Sequence, residues 1–276
     1  MIHILTSFAT AVLSDGNIVI EEYVGPSSQP SWSEPILIEG EPIKICSSVD
    51  SPSARVIAVL THDGRILTNC QPVRPEFRDV TLIARGLTGS DTTDIRDVRV
   101  CDCLLIFWTD FTLGFIGISP DPSNPFTFYY KLEAGIDQVW VGSCCCMVRT
   151  KDMRMFRVTN KLQYLSMLSA LGTAVCPILD RKPGIVFHDI ENIVQVHSDA
   201  GWILFHMKDG SVYGCDSNKI DANKPFSLVP FPEGETVTKI VNACTHIVYS
   251  TAAGNCYVRC LRAKTNWTIQ PTLIES

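Results

Sequence analysis

The sequence has 276 residues, of which 46% are hydrophobic and 19% charged, a composition typical of a globular domain with a large core. The formal net charge of −6, with a pI of about 5.5, disfavours a nucleic-acid-binding surface, which is normally basic. No run of 18 or more apolar residues is present, so the sequence predicts no membrane-spanning helix.

The first predicted unit, residues 1–40, begins with two strands joined at Asp15-Gly16, a dipeptide that tolerates the φ angles of tight hairpin turns. The apolar N-terminus has no basic segment before it, which favours a strand pair over a signal peptide. A Pro- and Ser-rich loop, Gly25–Pro35, places Trp32 at its centre. Trp32 is a candidate anchor for a protein partner, and packing over the end of the sheet is the structural alternative.

The second predicted unit, residues 41–94, repeats this order of strands with its turn at Asp63-Gly64. Its loop, Gln71–Arg78, contains a small basic and aromatic patch that is a second candidate for partner binding, although a solvated loop is the simpler interpretation. The candidate residues in this loop are Arg74, Phe77 and Arg78.

The fifth unit shows the repeat most clearly. Val194 and Val196 alternate with polar neighbours, which predicts a half-buried strand. Trp202–Phe205 is a short apolar run of the kind found in strands covered on both faces. Asp209-Gly210 then predicts a type I′ hairpin turn, which requires positive φ at both central residues.

The predicted turns recur along the whole chain at Asp15, Asp63, Asp110, Asp152, Asp209 and Ala253. A self-similar all-β period of about 40–50 residues is typical of propeller blades. A further strand is predicted before each new unit, and these strands are Pro35–Ile38, Val80–Ala84, Phe126–Leu132, Ile185–His188, Phe226–Val229 and Thr268–Ile274.

We therefore predict an all-β fold, a six-bladed β-propeller of four-stranded antiparallel blades that forms one domain over residues 1–276. The predicted units span residues 1–40, 41–94, 95–135, 136–189, 190–234 and 235–276. Seven blades are the alternative, because the long segment Thr159–Gly184 contains either an amphipathic helix or an extra strand pair.

The chemistry-bearing residues indicate no reactive centre. The 12 cysteines include no C-x-x-C pair, and most fall in predicted strands, which favours buried free thiols in a reducing compartment over disulfides or a metal site. The six histidines are scattered, and no phosphate-binding loop, nucleophile elbow or H-E-x-x-H motif occurs. We predict no enzymatic activity, no metal and no cofactor.

The fifth unit resembles the repeat of the regulator of chromosome condensation family. The resemblance is carried by the strand at 194–196, the turn Lys208-Asp209-Gly210-Ser211-Val212-Tyr213-Gly214, and Ser217-Asn218. It implies a propeller, normally seven-bladed, that serves as a protein-binding platform. Some members of that family catalyse nucleotide exchange on the Ran GTPase, and others bind chromatin, ubiquitin-pathway or cytoskeletal partners.

The sequence thus predicts an intracellular, monomeric protein-interaction module, cytoplasmic or nuclear, that binds its partner through the loops between blades. The alternative implied by the resemblance is a guanine nucleotide exchange factor for a Ran-like small GTPase. An enzyme with its site at the axial channel is a third hypothesis, which the apolar and small residues expected on the innermost strands disfavour.

Overall fold

The computed structural model of the chain is almost entirely β and contains six sheets within the residues that it describes. Those residues are 2–5, 9–14, 17–22, 31–32, 36–38, 40–47, 55–71, 74–89, 94–101, 104–118, 127–142, 146–158, 187, 189–199, 202–216, 226–243, 246–261 and 267–274. The segment Thr159–Gly184, on which the seven-blade alternative depends, lies outside them.

The first three sheets are formed by strands that follow one another along the chain. Sheet 1 consists of β1 (Ile2–Leu5), β2 (Ala9–Ser14), β3 (Asn17–Glu22), β4 (Ser31–Trp32) and β5 (Ile36–Leu37). Sheet 2 consists of β6 (Pro42–Ser47), β7 (Arg55–Thr61), β8 (Ile66–Gln71) and β9 (Arg74–Asp79). Sheet 3 consists of β10 (Asp97–Cys101), β11 (Leu104–Trp108), β12 (Thr112–Gly117) and β13 (Thr127–Lys131).

The other three sheets repeat this arrangement. Sheet 4 consists of β14 (Ile136–Val141), β15 (Cys146–Thr150) and β16 (Met155–Val158). Sheet 5 consists of β17 (Ile193–Asp199), β18 (Trp202–Met207), β19 (Val212–Asp216) and β20 (Ser227–Leu228). Sheet 6 consists of β21 (Val237–Ala243), β22 (His246–Thr251), β23 (Cys256–Cys260) and β24 (Thr272–Leu273). The helical elements described are α1 (Thr81–Thr88) and a short 3-10 helix, Ile190–Asn192.

The chain forms two compact units. The first contains sheets 1 to 3, and the second contains sheets 5 and 6 with nearly all of sheet 4. Each unit has its own apolar core, because the middle strands β11, β12 and β18 are buried at every position. The prediction that Trp202–Phe205 is covered on both faces is therefore confirmed.

The turns at Asp63, Asp152, Asp209 and Ala253 lie where they were predicted, but the predicted turn type is wrong. The amide of Gly210 donates to the Met207 carbonyl at 3.0 Å, and Met207 N donates to Ser211 O at 2.9 Å. Gly210 has φ of 82°, whereas Asp209 is not among the residues with positive φ. This is a three-residue loop in which a type I turn is closed by a left-handed glycine. The turn at Asp15-Gly16 lies outside the described residues.

Met153 occupies the glycine position of the same loop in sheet 4, with φ of 60°. It is the one non-glycine residue with positive φ in the described part of the chain, and this conformation costs a residue with a side chain about 1 kcal/mol. We expect Met153→Gly to raise the free energy of unfolding by about 0.5–1 kcal/mol in urea titrations. Gly254→Ala, at the equivalent loop of sheet 6 with φ of 86°, should lower it. A loss of stability in Met153→Gly would contradict this interpretation.

Three first strands, β6, β17 and β21, contain a β-bulge near their start. The extra residues are Ile43, Val194 and Thr238. Val194 was predicted on the buried face but is 50% exposed, and Ile43 is 48% exposed. The bulge explains the exposure of Val194, because an inserted residue interrupts the alternation of side chains between the two faces of the sheet after the buried Ile193.

Residues Thr81–Thr88 form α1 where a strand was predicted over Val80–Ala84, so that prediction is wrong. The fourth strand of sheet 2 is instead β9, which overlaps the stretch Gln71–Arg78 that was predicted as a loop. A carboxylate oxygen of Asp79 accepts a hydrogen bond at 2.8 Å from the amide of Thr81, which satisfies one of the unpaired donors at the helix start. The buried residues of α1 recur at helical spacing.

Six described cysteines are not joined in disulfides, and these are Cys46, Cys101, Cys146, Cys215, Cys256 and Cys260. Cys46 and Cys101 lie in the first strands of sheets 2 and 3 and are both buried, as the sequence predicted. Their predicted equivalence is wrong, because Cys46 pairs with Ala58, three residues before Thr61, whereas Cys101 pairs with Leu104, five residues before Thr109. Burial raises the pKa of the Cys46 thiol to about 12, which keeps it protonated and unreactive at neutral pH.

Candidate functional site

The predicted candidates lie on two different sheets of the first unit. Trp32 is not in a loop as predicted but in β4, whose backbone pairs with Glu21 of β3. Arg74, Phe77 and Arg78 lie on β9, the fourth strand of sheet 2. Their participation in binding stays a prediction.

The β9 candidates lie at an irregularity of the strand. Phe77 is half-buried and Arg78 is exposed. Arg74 pairs with Cys70 and Arg78 with Thr68, so three residues of β9 lie opposite one residue of β8. Such a bulge interrupts the regular alternation of side chains between the two faces of the sheet.

A groove of about 500 Å³ lies at one end of the strands of sheet 3, where α1 ends and the turn between β11 and β12 is located. Its volume is in the range of ordinary binding clefts. The groove is lined by Thr88, Asp94, Arg96, Thr109, Asp110, Phe111, Thr112 and Lys131. Sequence analysis placed Asp110 in a turn but did not identify this groove.

The turn is held in place by the buried Thr109. Its amide donates to the Thr112 carbonyl at 2.9 Å, and its hydroxyl accepts from the amides of Thr112 at 3.0 Å and Phe111 at 3.3 Å. The Phe111 carbonyl accepts from the amide of Leu132 at 2.8 Å. These bonds fix the backbone on both sides of Phe111, whose side chain is 53% exposed. A large aromatic side chain is thus presented on a rigid turn.

The charged side chains of the groove differ in their partners. Arg96 forms an ion pair with Asp110, and it also donates to the Ile136 carbonyl at 3.5 Å. Asp94 and Lys131 are exposed, and neither makes a hydrogen bond or an ion pair with another described residue. The groove therefore offers one carboxylate and one ammonium group to a ligand.

The described residues present no metal centre. Within the ranges given above, no group of three or more His, Cys, Asp or Glu side chains is arranged to hold a metal ion. No described helix has the length and apolar character needed to cross a membrane.

The sequence matches no protein-family model and no curated protein sequence. Solved structures, in contrast, include clear likenesses. Human WBSCR16 has a TM-score of 0.55 and 13% identity, covering 98% of this chain and 80% of that protein. Prp20p from Saccharomyces cerevisiae has a TM-score of 0.50 and 10% identity, covering 83% and 64%.

The chain spans only about a third of another similar protein. PorZ, a surface component of the type-IX secretion system of Porphyromonas gingivalis, has a TM-score of 0.52 and 9% identity, with 94% of this chain and 32% of PorZ covered. At such identities the likeness shows the fold alone. The structural neighbours include homologues of the regulator of chromosome condensation and other propellers, so the prediction of an all-β propeller fold is confirmed.

Proposed function

We propose that this chain is a non-enzymatic protein-binding module of the regulator of chromosome condensation type, and that it binds its partner through the groove on sheet 3. The observation that carries the proposal is the exposed Phe111 at the rim of a groove with charged ends. Rigid aromatic side chains beside polar groups are the usual energetic anchors of protein interfaces. The hydrogen bonds to the Thr109 hydroxyl hold the backbone that carries Phe111 in one conformation, which lowers the entropy cost of binding.

The module acts, in this proposal, as an intracellular monomer in the cytoplasm or nucleus. The six cysteines that are not joined in disulfides support a reducing compartment. The net charge of −6 favours a protein partner with a basic surface over a nucleic acid.

A second candidate function is nucleotide exchange on a Ran-like small GTPase. It is favoured by the structural likeness to Prp20p, a protein described with its binding to Gsp1p and histones. Release of fluorescent GDP from a Ran-like GTPase separates the two functions. We expect no acceleration at micromolar concentrations of this protein, and acceleration would establish the exchange reaction instead.

Photo-crosslinking tests the proposed surface directly. A benzophenone amino acid replaces Phe111 in one variant and Ile269, an apolar residue that is 60% exposed, in a control. We expect cellular proteins to crosslink at position 111 and not at position 269. Crosslinks from position 269 alone would contradict the assignment of the binding surface.

A further inference from the structure

The groove beside Phe111 has opposite charges at its two ends. These charges indicate the chemistry of the ligand, an inference that rests on the proposed function. Asp94 lies just before β10, the first strand of sheet 3. Lys131 is the last residue of β13, the fourth strand. Because the strands run in the order β10, β11, β12 and β13, the two charges flank the turn that carries Phe111.

The middle of the groove is electrostatically balanced. Arg96 and Asp110 form an ion pair there, and each side chain is 45% exposed. A ligand therefore meets a net negative charge at the Asp94 end and a net positive charge at the Lys131 end. The apolar surface between these ends is the ring of Phe111.

The spacing of the first and fourth strands, next to which the two charges lie, gives an approximate length for the ligand. Three intervals of about 4.8 Å separate the first from the fourth strand of a sheet, which gives about 14 Å. An extended chain rises by about 3.3 Å per residue, so four residue steps cross this distance. A segment that lies across the strands would then place one residue at each charge and its middle side chain near Phe111.

We propose that the groove binds an extended protein segment in which a basic and an acidic residue lie four positions apart on either side of an apolar residue. The basic side chain pairs with Asp94, the acidic side chain pairs with Lys131, and the apolar side chain packs on Phe111. A segment with two like charges would pair at one end and be repelled at the other, so charge order gives the site its specificity.

A displayed library of five-residue peptides with a fixed central phenylalanine tests this proposal. We expect the wild-type protein to enrich peptides with opposite charges at their two ends by two- to fivefold per charge, the range that one exposed ion pair supports. The Asp94→Asn protein should lose the preference for a basic residue in the peptide and keep the preference for an acidic residue. Lys131→Gln should do the reverse. Glu191→Gln and Lys208→Gln, which change exposed charges in the second unit, should enrich the same peptides as wild type.

The possible failures are distinguishable. Absence of enrichment, or enrichment that neither Asp94→Asn nor Lys131→Gln alters, would overturn the proposed charge pattern. If crosslinks still form at position 111 in that case, the binding surface stands and only the nature of its ligand is wrong. If those crosslinks are also absent, both the proposed charge pattern and the proposed function are wrong.

Discussion

Replacement of Gly114 by alanine should destabilise the protein by about 3 kcal/mol or more, as expected for severe overpacking of a core. Gly114 of β12 lies directly opposite Phe107 of β11. A Cβ atom at position 114 would lie 2.1 Å from the Cζ atom of Phe107, and two further ring carbons would lie within 2.7 Å. Phe107 is completely buried, so its ring cannot move aside without disturbing its neighbours.

Urea denaturation of Gly114→Ala measures this effect, and Gly86→Ala is the matched control. A Cβ at Gly86 would enter open space within α1, so that substitution should stabilise the helix by about 0.5–1 kcal/mol. In a Phe107→Ala background, Gly114→Ala should have little further effect, because the ring that it strikes is gone. A Gly114→Ala protein with wild-type stability would contradict the described pairing of β11 and β12.

Acidification from pH 7 to pH 4.5 should destabilise the protein by about 2 kcal/mol through one histidine. Burial lowers the pKa of His197 to about 4, and the nearby His206 contributes. Its buried Nε2 atom has no hydrogen-bond partner among the described residues. The unfolded chain binds a proton below about pH 6.5, whereas folded His197 binds one only near pH 4. Its contribution to stability is therefore complete above pH 6.5 and is lost as the pH falls towards 4.

Urea titrations at several pH values between 7 and 4.5 test this expectation. His197→Leu should remove most of the dependence on pH, because the buried titrating group is replaced by an apolar one. His62→Asn, at an exposed turn, should keep the wild-type dependence. If the free energy of unfolding falls equally with pH in His197→Leu and in the wild-type protein, other groups control the loss of stability in acid.

The repeat and its turns could be predicted because they depend on local residue types. The apolar run Trp202–Phe205 indicates a buried strand directly. The glycines of the turn loops indicate the backbone conformation of those loops. A further local signal was missed: buried threonines begin three of these loops, and each hydroxyl oxygen lies within 3.4 Å of the carbonyl oxygen four residues later. These residues are Thr61, Thr150 and Thr251.

The remaining features depend on tertiary contacts that residue patterns do not contain. Residues Val80–Ala84 begin a helix instead of a strand, because Asp79 accepts a hydrogen bond from the Thr81 amide and because the core buries Ala84. The bulge at Val194 changes which residues are buried without changing composition. Phe111 could not be distinguished from core aromatics, because its exposure depends on how Thr109 shapes the turn.

The binding affinity of the partner that crosslinks at position 111 tests the central claim most directly. Isothermal titration with the wild-type protein and with Phe111→Ala compares the two dissociation constants under identical conditions. We predict that Phe111→Ala weakens binding by about tenfold or more, as expected for removal of an aromatic anchor. An unchanged dissociation constant in Phe111→Ala would contradict the assignment of this groove as the binding surface.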